Sequence, residues 1–301
     1  MLTRKKAIKV ILEAQKGTKL AATQAILVYD LKPVPTSPFE ERNGSGIYRG
    51  PTNTGVLGEH SSSFPFKAEM RSNGSAGMEA GLAILLQACG FKKTSEVYAM
   101  HSAPADDKTI SIDVWEDGVK KGARGASSNV VFTGETGQRL MCEFDFMGVW
   151  QTVIDEALPA YAPSTTLPMK LAGGTFTIGG AVKRISKFSL DMGCKVISLP
   201  DVNAVGGIAY YMISDYAPVI SFDLEADLVA NHDINGLWMA GTTAAVVLAV
   251  TDGTDHATFT MPAVQYKEIP EDDREGLQIY DVTGQCVHTA SGNDAVTIAV
   301  A

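Results

Sequence analysis

Residues 139–146 and 219–228 alternate apolar and charged side chains with a period of two, and no other feature narrows the fold so far. In the first segment Leu140, Cys142, Phe144 and Phe146 fall on one side, against Arg139, Glu143 and Asp145, with Met141 beside them. In the second, Phe222, Leu224, Ala226 and Leu228 oppose Asp223, Glu225 and Asp227. Side chains of a strand point alternately to its two faces, so each segment belongs in an antiparallel sheet with one face packed and one in water. A helix would scatter both sets around its circumference. The 29 glycines sit in short clusters between apolar runs, the pattern of many strands joined by turns rather than of a helical bundle.

Further strands are expected at 24–30, 64–71, 109–115 and 129–133, then at 174–178, 182–190, 243–250, 257–261, 277–282 and 293–300. Met78, Leu82, Leu85, Leu86 and Cys89 recur at helical spacing, so 78–90 is expected to be a core-packing helix, with Asn73 or Ser75 capping its start and Gly90 ending it. Residues 5–16 are expected to form an opening helix, and a short one is expected after Asp233. Between 32 and 63 four prolines and five glycines before residue 60 mark a long structureless loop, a kind of segment that is uncommon unless functional or disordered. Pro159, Pro163 and Pro168 mark 158–168 as a linker, which divides the chain into a first domain at 1–157 and a second at 169–301. Similar acidic-apolar strands in both halves hint at a duplication.

A chain of 301 residues can support two cores of this size. Its net charge of −9 argues against a protein that grips nucleic acid phosphates. Residues 1–155 carry 18 Lys+Arg against 17 Asp+Glu, and residues 156–301 carry 7 against 17, so the second half holds the acidic excess. No apolar run reaches the roughly 18–20 residues of a membrane span. The charged opening segment, with Lys9, Glu13 and Lys16, lacks the unbroken apolar stretch of a secretory signal, so Asn43-Gly44-Ser45 and Asn73-Gly74-Ser75 are read as turns. Cys89, Cys142, Cys194 and Cys286 are far apart and form no CxxC pair, so reduced, buried thiols and a cytoplasmic site of assembly are expected.

No pattern carries chemistry. The five histidines are scattered, with none four residues from another. Arg49 stands at the third glycine position of the one near-match to a dinucleotide fingerprint, and no phosphate loop or nucleophile elbow occurs. His60 beside Ser61, Ser62 and Ser63 reads as a solvated loop, and the pairs Asp106-Asp107 and Asp272-Asp273 read as turns without calcium-loop spacing. No catalytic, cofactor-binding or metal-binding residue is assigned, and the chain is expected not to be an enzyme. Trp115, Trp150 and Trp238 all sit in apolar sequence contexts, unlike the solvent-facing aromatic cluster of a carbohydrate-binding β-sandwich module.

The order of features resembles the two-domain major tail tube proteins of long-tailed phages. The resemblance rests on residues 21–28, 64–71, the 78–90 helix, 109–118, 121–132 leading to 143–148, and on 261–266, 273–280 and 292–294 in the second half. It implies a mainly β fold: two tandem sandwich or barrel-like tube domains, each with a flanking helix, whose strands join across subunits into a shared inner β-barrel. It implies self-association into rings of three subunits with pseudo-sixfold shape, stacked into a tube in the virion tail, with a tape measure protein and a tail terminator as partners. Viral DNA would pass through without specific binding, and no membrane is involved. The 32–63 loop, with Glu41, Arg42, Tyr48, Arg49 and Glu59, is then a candidate ring-stacking element. Glu143, Asp145, Asp223, Glu225 and Asp227 are candidate lumen-facing acids. A contractile-tail or secretion-system tube, or a tail terminator, is the related alternative.

Overall fold

The computed structural model describes residues 5–51 and 53–301. The opening strand β1 (Lys6–Leu12) is followed by four short ones, β2 (Gln24–Ala25), β3 (Val28–Tyr29), β4 (Val34–Thr36) and β5 (Phe39–Glu40). Next come β6 (Val56–Leu57), β7 (Ser61–Glu69), helix α1 (Ala80–Gln87), β8 (Phe91–Thr94) and β9 (Val97–Met100). The first half ends with β10 (Ile110–Glu116), β11 (Val119–Ser127), β12 (Val130–Glu135), β13 (Met141–Trp150) and β14 (Ile154–Asp155). The second half opens with β15 (Lys170–Ile178), β16 (Ala181–Val182), β17 (Ile185–Asp191), β18 (Lys195–Pro200), β19 (Ile208–Asp215) and β20 (Val219–Glu225). Helix α2 (Ile234–Ala240), β21 (Thr243–Thr251), β22 (His256–Glu268), β23 (Glu271–Arg274), β24 (Leu277–Cys286) and β25 (Thr297–Val300) complete it. The fold is mainly β, as the alternating segments require.

The opening segment is a strand, not the expected helix. β1 pairs antiparallel with β10 over seven residues, buries Ala7, Ile8 and Val10, and sets Lys6 against Glu116 at 2.8 Å. Val and Ile at alternate depths suit a pleated surface, and pairing with β10 overrides the weak helical pattern. The expected 78–90 helix is shorter. Glu79 is its N-cap without a side-chain cap bond, and Asn73 instead closes a turn by accepting from Ser75 N–H at 2.7 Å. The apolar stripe does face the core, with Leu82, Leu85, Leu86 and Cys89 fully buried. The 32–63 segment is not structureless: β4 pairs with β7, and β5 pairs with β6 through Phe39–Leu57 and Glu40–Val56. Asp272-Asp273, expected in a turn, lies within β23. Trp238, read as apolar in context, is 44% exposed on α2, with its Nε1–H donating to Lys267 O at 3.0 Å.

Pairing in the first half recurs in the second. β10, β11, β13 and β7 are successive neighbours with β12 beside β13, and β21, β22, β24 and β20 are successive neighbours with β23 beside β24. β1 flanks β10 as β15 flanks β21, β3 and β4 flank β7 as β17 flanks β20, and a helix follows β7 as one follows β20. The halves join where β12 pairs with β17 and where β9 pairs with β25. One apolar cluster runs through both, with Phe132 edge-on to Phe259 at 5.1 Å. Residues 158–168 carry no strand, yet they are tied to the first half: Tyr161 Oη donates to Ile26 O at 2.5 Å and Arg71 Nη1 to Ser164 O at 2.6 Å.

The β18–β19 ribbon, in a stretch where no strand was expected, folds back across β11. Arg124 Nη1 donates to Ala209 O at 2.7 Å, and Ser127 Oγ to Tyr211 O at 3.0 Å. Gly125, at φ +57, permits the approach, since a Cβ there would lie 2.6 Å from Tyr210 Cβ.

Candidate functional site

Eight strands form one continuous antiparallel sheet across both halves, in the order β4, β7, β13, β12, β17, β20, β24, β23. Directly paired residues share a face, so the registers define rows. One row, Ala68–Cys142–Phe132–Leu190–Ile220–Gly284, is buried throughout and rests on the shared core. The adjacent row, Lys67–Glu143–Val131–Asp191–Val219–Gln285, turns to the opposite, open side. A third row on that side runs Glu69–Met141–Thr133–Ser189–Ser221–Thr283. Most of these open-side residues are half-buried, and a trough of about 470 Å³ crosses the β12–β17 junction on this side.

The open face is polar and internally braced. Lys67 Nζ meets Glu143 Oε1 at 2.6 Å, and Ser63 Oγ donates to Asp145 Oδ1 at 2.5 Å. Glu69, buried at the border, accepts from Tyr29 Oη at 2.9 Å, Arg71 Nε at 2.8 Å and Arg139 Nη1 at 2.5 Å. Burial alone would raise its pKa, but these donors outweigh it and hold the carboxyl below its ordinary value. Asp191 accepts from Asn129 Nδ2 at 2.7 Å and Gly193 N–H at 2.8 Å.

The five acids singled out in the sequence do not share one environment. Glu143 is half-buried and Asp145 exposed, both on the open face. Asp223 lies on the same side but is only 2% exposed: it accepts from Ser186 N–H and Lys187 N–H, each at 2.6 Å, from Ser186 Oγ, and from Arg274 Nη1 at 2.8 Å. Its expected place on a wetted wall therefore gives way to an internal one, because Arg274 folds over it from β23. Glu225 receives Arg274 Nη2 at 2.7 Å. Asp227 lies past the end of β20, held by Asn231 Nδ2 at 2.8 Å and Lys183 Nζ at 3.1 Å, and these donors bring its pKa down to about 2.

Glu41, Arg42, Tyr48, Arg49 and Glu59 are all exposed, on the excursion that carries the β5–β6 hairpin. The sequence reading missed the apolar members of the same excursion, Phe39, Ile47, Val56 and Leu57, also exposed. It also missed Val202 and Val205, exposed at the tip of the β18–β19 ribbon, which touches the excursion where His60 N–H donates to Gly206 O at 3.1 Å. The available signal was the presence of β-branched and aromatic residues inside glycine-rich stretches.

His60 and the three following serines do not converge. Their side chains meet Ser37 Oγ, Thr36 O, Gly148 O and Asp145 respectively. The four cysteines are buried free thiols, and burial pushes Cys194 and Cys286 up to about 12. Among the described residues no group of three or more His, Cys, Asp or Glu could hold a metal ion, and no helix is long and apolar enough to cross a membrane.

The chain is mainly β and organised around one extended sheet, with a braced, largely polar open face and a border strand at each end. A family model described as phage tail tube protein matches residues 52–295, and the chain belongs to that family. Membership makes it a structural component of the virion tail whose family self-assembles into a tube. No curated protein matches the chain.

Proposed function

We propose that copies of this chain complete one another's sheets into three-subunit rings, and that the rings stack into the tail tube through which viral DNA passes during ejection. The observation that carries this reading is the eight-strand sheet, largely polar on its open side and bordered at both ends by strands with one partner each among the described residues. Sheet borders left open invite indiscriminate pairing, whereas a closed barrel removes them. The 32–63 excursion, with its exposed mixture of apolar and charged side chains, reaches the adjacent ring. Tape measure protein and tail terminator meet the assembled tube, which is put together in the host cytoplasm.

Negative-stain microscopy of the purified protein at rising concentration tests the reading. Annular particles and then tubes are expected, and a monomer at every concentration ends the proposal.

The open face lines the channel in this reading. Glu143, Asp145 and Glu225 present carboxylates to a duplex that carries one negative charge per ~1.7 Å of axis, so DNA slides without sticking. Tubes of the triple variant Glu143→Gln, Asp145→Asn, Glu225→Gln are expected to retain several-fold more duplex DNA on sedimentation at low salt than wild-type tubes. The excess should fade as salt shortens the screening length. Equal retention at low salt removes these carboxylates from the channel wall.

A further inference from the structure

The extended sheet contains one join between the two halves of the chain. Within it the first half ends its part of the sheet in β12, the hairpin partner of β13, and β12 pairs with β17, the strand that flanks β20. By the recurrent pairing, β23 in the second half occupies the place of β12, and β3–β4 in the first half occupy the place of β17. The contact between β12 and β17 is made. Its counterpart, β23 against β3–β4, is not made within one chain. We propose that β23 of each subunit pairs antiparallel with β4 of the next, so that the covalently tethered junction and the intersubunit junction alternate around the ring. The assignment rests on the ring reading above and names the two borders that close it.

Strand polarity permits the join. All seven contacts in the sheet are antiparallel, and eight is an even number, so β23 and the incoming β4 run in opposite directions.

The hydrogen-bonding rails are complementary. Lys32 N–H donates to Pro65 O at 3.3 Å, and Val34 pairs with Ser63, so Lys32 and Val34 are directed at β7 while Pro33 and Pro35 face outward. Proline has no N–H, so this border offers carbonyls and no donors at those positions. On the other border, Asp281 N–H donates to Pro270 O at 2.9 Å and Asp272 pairs with Ile279, which leaves Glu271 and Asp273 outward. Their N–H groups are spaced two residues apart, like the two proline carbonyls. In the single chain the Asp273 N–H is held by Asp272 Oδ1 at 2.8 Å, a local partner that it exchanges on docking.

Each border also rejects its own kind. Two β4 borders would face each other without donors at the prolines. Two β23 borders would bring Glu271, Asp272 and Asp273 against the same three acids, and like charges directly opposed destabilise a strand pair. Only the head-to-tail pairing remains, and it closes into a ring when the rotation per subunit allows.

Matching both donors to both carbonyls sets Glu271 opposite Pro35 and Asp273 opposite Pro33, which places Val34 opposite Asp272. This register carries a further consequence. Relative to the Lys67–Gln285 row, Val34 lies four residues to one side (Ser63 to Lys67) and Asp272 six residues to the other (Ile279 to Gln285). A stagger of that size across eight strands, at about 3.3 Å per residue and about 4.8 Å per strand, is a strand tilt of roughly 40°. Closed barrels have tilts of about 35–45°. Three copies at this tilt make a barrel with its backbone about 25 Å from the axis, an open channel rather than a filled core.

A disulfide across the join tests the assignment. Val34 and Asp272 would form a non-hydrogen-bonded pair with Cα atoms about 4.5 Å apart, which a disulfide can span. Oxidised rings of the Val34→Cys, Asp272→Cys double variant are expected to run as covalent trimers on a non-reducing denaturing gel. Each single variant should stay monomeric there, and a mixture of the two singles should give dimers. The four native thiols are buried and stay out of the reaction. Rings or tubes visible by microscopy that fail to cross-link, or a single variant that cross-links to itself, overturn the border assignment while leaving the tube reading intact. Absence of rings in the wild-type protein overturns the tube reading itself.

Discussion

Excision of residues 39–57, with Pro38 and Gly58 joined through Asn-Gly, leaves rings and abolishes tubes. The cut is conservative for the subunit, because Gly58 N–H donates to Pro38 O at 2.8 Å and the two ends are already adjacent. β4 keeps its pairing with β7, and a two-residue Asn-Gly connection suits such a hairpin. What disappears is the exposed apolar surface of Phe39 (62%), Ile47 (91%), Tyr48 (73%), Val56 and Leu57. Burial of an aliphatic or aromatic side chain stabilises by about 1.5–3 kcal/mol, so several per subunit outweigh any rim charge in a stacking contact. The losses of ordering reduce that sum, yet a change of even ~4 kcal/mol per contact alters an elongation constant about a thousandfold. Microscopy should show annuli at wild-type abundance and no filaments. Tubes of normal length from the excised chain would take the excursion out of the stacking contact.

The parts of this fold that were legible in the sequence are those in which one strand decides its own face. Residues 141–146 and 219–225 alternate because β13 and β20 each have a core side and an open side, and the periodicity records that directly; beyond Glu225 the pattern misleads, since the strand has ended and Leu228 is exposed. β1 was misread because Lys6, Lys9 and the intervening apolar residues fit a short helix as well as a strand, and only the contact with β10 decides between them. The β5–β6 hairpin and the β18–β19 ribbon hide among glycines and prolines, whose usual meaning is loop. Their strands are stabilised by pairing with each other or by reaching back to Arg124 and Ser127, neither of which leaves a periodic trace. Asp223 shows a further limit. Alternation gives the side of a sheet on which a residue stands, but not whether a distant residue such as Arg274 will cover it.

Asp223→Ala should lower the stability of the protein by about 3–5 kcal/mol, the scale for removing one partner of a buried charge pair. Register between β17 and β20 shifts between Ile185 and Phe188, so Ser186 and Lys187 leave the ladder there, and the Asp223 carboxylate accepts both of their N–H groups. Alanine strands these two donors and leaves Arg274 with Glu225 alone. An unfolding free energy from urea titration within about half a kcal/mol of wild type at pH 7 would mean that the bulge finds other partners. Acid gives the same conclusion with a definite sign. Burial would raise the Asp223 pKa, but Ser186, Lys187 and Arg274 favour the ionised form more strongly and keep it below its ordinary value. A carboxyl whose pKa is depressed by folding contributes stability above its unfolded pKa of about 3.9 and loses it as pH falls through the folded value. The gap between wild type and Asp223→Asn should therefore narrow below about pH 4. Because Arg274 belongs to β23, weakening its grip also frees the border strand proposed above to pair with the next subunit. The yield of Val34→Cys, Asp272→Cys cross-link should fall when Asp223→Asn is added, in proportion to the loss of stability. A strongly destabilised variant that still cross-linked at full yield would show that Arg274 steadies the subunit without steadying its border.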